Sequence, residues 1–303
     1  MPGDSRRYAL LGLGVAAISC AAVLIRVADA PPLAVASGRL AIASAILLPL
    51  ALVRHRVELR SLVVKHFRLI GLAGFFLAVH FALWVASLSY TSVASSVVLV
   101  TANPLLVALA SYVIFGERLH AETFIGIASC VVGAALIGYG GWMMGPDVLK
   151  GDILAVAAAL AMAAYLLIGR RLRRTAGLVP YATAVFSVAA LVLVVATVAS
   201  GTPVSGFETT TYVAILLLAL VPQLVGHMSL NWALRFLPAT MVTIAVLGEP
   251  VGATLIAIPV LSETPTSTEL AGGVLILSGI AIAFGRGGLK RTGTSERSVE
   301  PFG

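Results

Sequence analysis

From Tyr8 to Gly285 the chain is a succession of apolar runs broken only by short polar or charged punctuation. Ten runs fall near 8–27, 33–53, 69–90, 94–115, 123–143, 152–169, 178–199, 211–234, 239–261 and 270–285. Runs of about 20 apolar residues can cross a hydrocarbon core roughly 30 Å thick. Inside lipid every backbone amide needs a partner within the protein, so only helices or closed barrels can span. These runs are far longer than the roughly ten-residue alternating strands of a barrel. The predicted fold is therefore all-α and polytopic, with ten transmembrane helices. Only 11% of the residues are charged and 59% are hydrophobic, against about 25% charged in soluble domains. That balance excludes soluble enzymes, disordered chains, secreted disulfide scaffolds and nucleic-acid binders.

Charge placement sets the expected orientation. With the N-terminus on the cytoplasmic side, the inner segments collect all but Arg26, Arg39 and Lys150 of the 20 basic residues, as the positive-inside rule requires. Asp29, Asp147, Glu208, Glu263 and Glu269 fall outside. Both termini are expected to be cytoplasmic. The first run follows Arg6-Arg7 but is longer than a typical signal-peptide core, and Pro31 follows the candidate cleavage site Ala28-Asp29-Ala30, so it reads as an uncleaved helix. Residues 54–68 are either an amphipathic stretch lying on anionic lipid or a short solvated loop. Residues 291–303 read as a disordered cytoplasmic tail. The net charge of +7 thus marks topology and not a nucleic-acid partner.

Sliding the chain along itself by 146 positions aligns four features. Asn103-Pro104 falls on Glu249-Pro250, Glu117 on Glu263, Gly126 on Gly272 and Gly133 on Gly279. The halves are 1–145 and 146–290, five spans each. An odd span number makes the second copy enter the membrane from the opposite face, which is an inverted-topology repeat. Such repeats favour a transporter, although channels and enzymes also carry them.

Ser37-Gly38-Arg39, the segment Ala86–Ala94, Asn103-Pro104-Leu105 and Gly116-Glu117-Arg118-Leu119 with Gly126 and Gly133 resemble the EamA repeat of the drug/metabolite transporter superfamily. Ala233–Ala239, Glu249-Pro250-Val251 and Leu261-Ser262-Glu263 echo it in the second half. The resemblance covers almost the whole chain. It implies a ten-helix bundle around a central cavity, cytoplasmic termini and a multi-pass place in the bacterial inner membrane. Within the superfamily the chain looks most like exporters of amino acids and related metabolites, including the YddG-type exporters of aromatic amino acids. Small-molecule substrate and membrane lipid are the implied partners.

Paired proline interruptions in corresponding spans point to a midplane site. Pro104 and Pro250 either mark such a site or curve their helices. Asn103 and Glu249 beside them are stronger candidates, because polar groups at that depth are costly. Glu249 is a candidate proton carrier or partner for a substrate ammonium. His80, Trp84, Ser87 and Thr91 share one face of span three, and Gln223, His227, Asn231 and Arg235 one face of span eight. Two polar stripes on repeat-related helices are expected to face each other across a cavity, although a lone intramembrane His is often just an interhelical hydrogen-bonding group. Trp84 and Trp232 can stack on a flat substrate or simply fill space. Tyr165 and Met162 are weaker candidates for the cavity wall.

Arg39 is expected to act structurally or in gating, with Asp29 as its partner, and Glu117 and Glu263 at helix ends as packing or gate elements. Two small-residue stripes are visible: Gly126, Cys130, Ala134 and Gly138, then Ala271, Leu275, Gly279 and Ala283. They suit close helix packing, within a monomer as the expected case, or across a dimer as the alternative. Cys20 and Cys130 form no CxxC, and neither HExxH nor a phosphate-binding glycine loop occurs, so no metal, cofactor or ATP motor is expected. The leading function is a secondary carrier exporting small organic metabolites, most plausibly amino acids, by alternating access. An exporter of another metabolite or drug, a channel, or an intramembrane enzyme built on His80, His227 or Glu249 are the alternatives; the enzyme lacks a GxSxG or Gly-x-Gly-Asp motif.

Overall fold

The structure, a computed structural model, describes residues 2–115, 121–173, 176–233, 242 and 245–285. Glu117, Arg235 and the expected tail over 291–303 lie outside the described residues, as does the side chain of Asn231. The regular elements among the described residues are helical. They are α1 (Pro2–Ser19), α2 (Ala21–Ala28), α3 (Pro32–Arg54), α4 (Arg56–Ser87), α5 (Val93–Thr101), α6 (Asn103–Phe115), α7 (Ala121–Met144), α8 (Pro146–Leu172) and α9 (Leu178–Ala199). Then come α10 (Thr209–Leu218), a π-helical segment (Ala219–His227), α11 (Met228–Ala233), α12 (Gly248–Leu261) and α13 (Ser267–Gly285). Eight of the described helical stretches are long and apolar enough to cross a membrane, and the apolar helices Gly248–Leu261 and Ser267–Ala283 are shorter.

Local chemistry explains where these helices begin and break. α3 and α8 each start with proline in the first turn, where its missing N–H costs nothing. Ser92 caps α5 by accepting from the Ser95 amide at 3.0 Å. The fourth span is interrupted at Ala102, because Pro104 has no N–H to give the Val100 carbonyl four residues back. Asn103 Nδ2 takes over that carbonyl at 2.9 Å. Pro222 does the same damage in the eighth span. There the backbone from Ala219 to His227 widens into π-helical bonding, a geometry concentrated at functional sites.

Residues 56–65 are helical and not a loop. They form the start of α4, set off by the non-helical backbone of His66 (φ −130°, ψ 25°). Leu59 and Leu62 are buried while Arg56, Arg60, Lys65 and Arg68 are exposed. Val57, Val64 and Phe67 are exposed as well, so apolar and basic side chains share the outer side of this stretch.

The main core is built from α2 to α5, α8 to α10 and α12, with α4 packed on α8 and α9 and α3 on α9. Apart from it runs a seam between α7 and α13. A Cβ on Gly133 would lie 2.6 Å from the Gly272 carbonyl, and one on Gly272 would lie 2.6 Å from the Gly133 carbonyl. Gly126 and Gly279 meet backbone to backbone in the same reciprocal way, and Ser129 Oγ donates to the Leu275 carbonyl at 2.7 Å. Each of these contacts maps onto another, or onto itself, when every residue is replaced by the one 146 positions away. The small-residue faces are therefore occupied within the chain. On α7 the seam runs through Gly126, Cys130, Gly133 and Ile137, not along the four-residue stripe expected from sequence; Gly138 has open space where its Cβ would be. Steps of four and three together follow the turn of a helix, whereas strict steps of four drift off it.

Candidate functional site

Between the two halves lies a cavity of about 490 Å³, within the roughly 300–1,000 Å³ range of small-molecule sites. Its wall takes residues from α1 to α9, from the π-helical segment and from α11 and α12. Arg39, His80, Trp84, Asn103, Pro104, Tyr165, Met162, Gln223, His227 and Glu249 all contribute. His80 and Trp84 from one polar stripe thus share a space with Gln223 and His227 from the other. The cavity reaches Thr123 in the first turn of α7, together with Leu230 and Val242, toward the face where α1 begins. Arg39 and Trp84 stand toward the opposite face.

Arg39 is not placed as its neighbourhood in the sequence suggested. It lies two turns inside α3 with no measurable exposure, while Asp29 is exposed in the turn after α2. Its Nε donates to Gln223 Oε1 at 2.9 Å. The guanidinium sits 4.4 Å from the Phe81 ring centre and 5.9 Å from that of Trp84, within cation–π range. Both terminal nitrogens, Nη1 and Nη2, are buried without a hydrogen-bond partner, and so is Trp84 Nε1.

His80 stacks on Trp84, with ring centres 6.0 Å apart, and its Nδ1 lies 2.9 Å from the Ala158 carbonyl. A carbonyl only accepts, so Nδ1 carries the hydrogen and Nε2 is the other nitrogen of the pair. His227 follows Gln223 by four residues on the π-helical segment. Glu249 stands in the first turn of α12, where the positive end of the helix favours negative charge. It is half-buried and in electrostatic reach of Arg39. Asn103 occupies the matching place at the start of α6. Tyr165 is buried and hydrogen-bonded to Tyr181. Trp232 stands away from the cavity, against the cluster of Leu11, Ala233 and Val242. Pro250 is buried in α12.

At the face opposite the start of α1 the helix ends are tied together. Arg26 Nη2 lies 2.6 Å from Glu263 Oε1, and Arg26 Nη1 donates to the Leu88 carbonyl at 2.5 Å. Glu263 Oε2 also accepts from the Val93 amide at 2.9 Å. Ser92 Oγ donates to Glu269, and Asp152 Oδ1 accepts from Thr91 at 2.7 Å and Ser95 at 2.5 Å. Three carboxylates from three elements thus converge on the start of α5. Ser87 and Thr91, from the predicted stripe of span three, serve this end of the molecule and not the cavity wall.

Sequence reasoning missed Arg26 and Asp152. Pro146, a favoured first helical residue, was the available sign that α8 begins a turn and a half before Asp152. Phe81 and Phe186, also in the wall, carry no signal apart from helical spacing. Among the described residues no group of three His, Cys, Asp or Glu side chains is arranged to hold a metal.

Comparison with known proteins assigns the fold. A crystal structure superposes with a TM-score of 0.64 at 20% sequence identity, covering 96% of this chain and 99% of its own. An uncharacterized transporter, YdfC of Bacillus subtilis (strain 168), is 22% identical over 186 residues, which are 61% of this chain. The match spans 60% of that relative's length. The model of the EamA-like transporter family matches twice, over residues 7–139 and 149–285. Two repeats covering nearly all of the chain settle the assignment: the chain belongs to the EamA-like transporter family.

Proposed function

We propose that the protein is a secondary carrier that exports small organic metabolites, amino acids with neutral or aromatic side chains above all, by alternating access. The observation that carries this reading is the cavity bounded by both repeats. It reaches toward one face while Arg26, Glu263, Glu269 and Asp152 tie the helices together at the other. Aromatic rings suit an apolar substrate body, and a few polar groups suit its charged ends. The two five-helix repeats are inverted, and exchange of their conformations moves the opening from one face to the other. The termini and the reached end of the cavity are cytoplasmic, in keeping with the basic residues gathered there, and the membrane is the bacterial inner membrane.

Counterflow in liposomes tests this. Protein loaded with unlabelled phenylalanine, leucine or threonine is expected to accelerate uptake of the labelled amino acid. Flux of a different metabolite with none of these would move the substrate class and keep the carrier; flux without saturation or trans-stimulation would make it a channel. Glu249 is the coupling group in this reading. Glu249→Gln is expected to abolish accumulation driven by a pH gradient while exchange persists, and unchanged accumulation would remove Glu249 from that role.

A further inference from the structure

The wall of the cavity holds a set of donors with nothing to donate to. We propose that Arg39, together with Trp84 Nε1, is the anchor for a substrate carboxylate, so that the transported molecule enters with its carboxylate toward the tied face and any ammonium group toward Glu249. This deepens the amino-acid reading above and rests on it for the identity of the substrate, though not for the chemistry of the anchor.

The geometry of the guanidinium carries the argument. Gln223 holds Nε and Phe81 covers one face of the plane. The side chain is therefore fixed, with Nη1 and Nη2 left over as a fork. A planar fork of parallel N–H groups matches a carboxylate bidentately, which a lysine does not. Trp84 Nε1 adds a third unpartnered donor. Gln223 Oε1, already used by Nε, is the one acceptor hydrogen-bonded to the guanidinium among the described residues. A buried cation left without acceptors is strongly disfavoured, and an anionic ligand removes that cost. Glu249, in electrostatic reach of Arg39 but forming no ion pair with it, supplies the negative counterpart for a zwitterion.

The test compares acids with their amides in the unmodified, full-length protein. In liposomes exchanging labelled phenylalanine, phenylalaninamide and phenethylamine keep the ring and the ammonium but lose the carboxylate. They are expected to inhibit at least tenfold more weakly than phenylalanine. N-acetylphenylalanine, which keeps the carboxylate, is expected to inhibit more strongly than either. In Arg39→Gln the preference for acid over amide is expected to vanish, and in Arg39→Lys to recover only in part. Equal inhibition by phenylalanine and phenylalaninamide in the unmodified protein overturns the anchor while leaving the carrier intact. If none of phenylalanine, leucine or threonine is exchanged, the amino-acid reading fails. The anchor is then decided by heat stability in detergent: stabilisation by benzoate and not by benzamide upholds it, and no difference between them overturns it.

Discussion

Arg26 and Glu263 meet at 2.6 Å, joining the end of the first span to the turn after α12, 237 positions further along the chain. Both residues are partly exposed, so the pair itself is worth little in static stability. Its value lies in its position. Glu263 also holds the Val93 amide, so one carboxylate bridges a helix of each half and the start of α5.

Glu263→Gln is expected to loosen this end. Each exposed pair contributes roughly 0.5–1 kcal/mol, which shifts a two-state equilibrium about two- to fivefold. The readout is labelling of a cysteine placed at Thr101, in a Cys20→Ser background, by an impermeant maleimide added from the tied face. Labelling should rise by that factor, and the charge-swapped pair Arg26→Glu with Glu263→Arg should bring it only partly back down, since it restores the ion pair but not the bonds to the Val93 amide and the Leu88 carbonyl. No rise in the single variant would reduce the pair to ordinary packing.

Gly133→Ala is expected to destabilise the protein by about 1–3 kcal/mol, since its methyl group would press on the Gly272 carbonyl. Gly272→Ala should cost a similar amount, because the contact is reciprocal. Gly138→Ala, with open space around it, should stay within about 0.5 kcal/mol of the unmodified protein. Thermal unfolding in detergent separates the three; a Gly138 variant as damaged as Gly133 would mean the seam is misplaced.

Pro104→Ala returns an N–H to the Val100 carbonyl and should close the break between α5 and α6. Removing a proline from a helix relieves up to about 3 kcal/mol of disfavour, so Tm should hold or rise. Exchange is expected to slow by about tenfold, or ~1.4 kcal/mol in the barrier. A variant that is stabler and equally fast would show that the break has no part in transport.

Asp152→Leu leaves the Thr91 and Ser95 hydroxyls without their acceptor in a buried setting. Each unsatisfied group costs about 1–3 kcal/mol, so a clear fall in Tm is expected. Asp152→Asn keeps an oxygen in place and should fall less. Equal loss in both variants would put the weight on charge and not on hydrogen bonding.

Much of the architecture was legible because apolar length, proline and glycine act locally. The spans follow from hydrophobic runs, and the break at Asn103-Pro104 follows from one missing N–H. Arg39 is close to a loop in sequence but not in depth. Two turns of α3 carry it inward, and only tertiary packing reveals Gln223 as its partner. Asp152 was hidden because it is the first residue of the expected span 152–169 and so passes for a boundary charge, when the helix starts earlier at Pro146. Trp232 was a candidate because an indole can stack on a flat substrate or simply fill space; it packs with Leu11, Ala233 and Val242, beyond a π-helical segment that changes the angle at which later residues project. Sequence periodicity alone does not announce such a widened turn, although Pro222 inside an apolar run marks where one can form.

The reciprocal glycine contacts between α7 and α13 have a mechanical meaning. If the two repeats trade conformations, most contacts between them must be remade in each cycle. A contact that maps onto its own mirror under the exchange needs no remaking, since it satisfies both arrangements at once. Gly126 with Gly279 and Gly133 with Gly272 map onto one another, and Ser129 with Leu275 maps onto itself, so the line as a whole is self-paired. In the alternating-access reading proposed above, the seam would serve as the fulcrum on which the rest of the bundle rocks, its close backbone contact holding the two halves together.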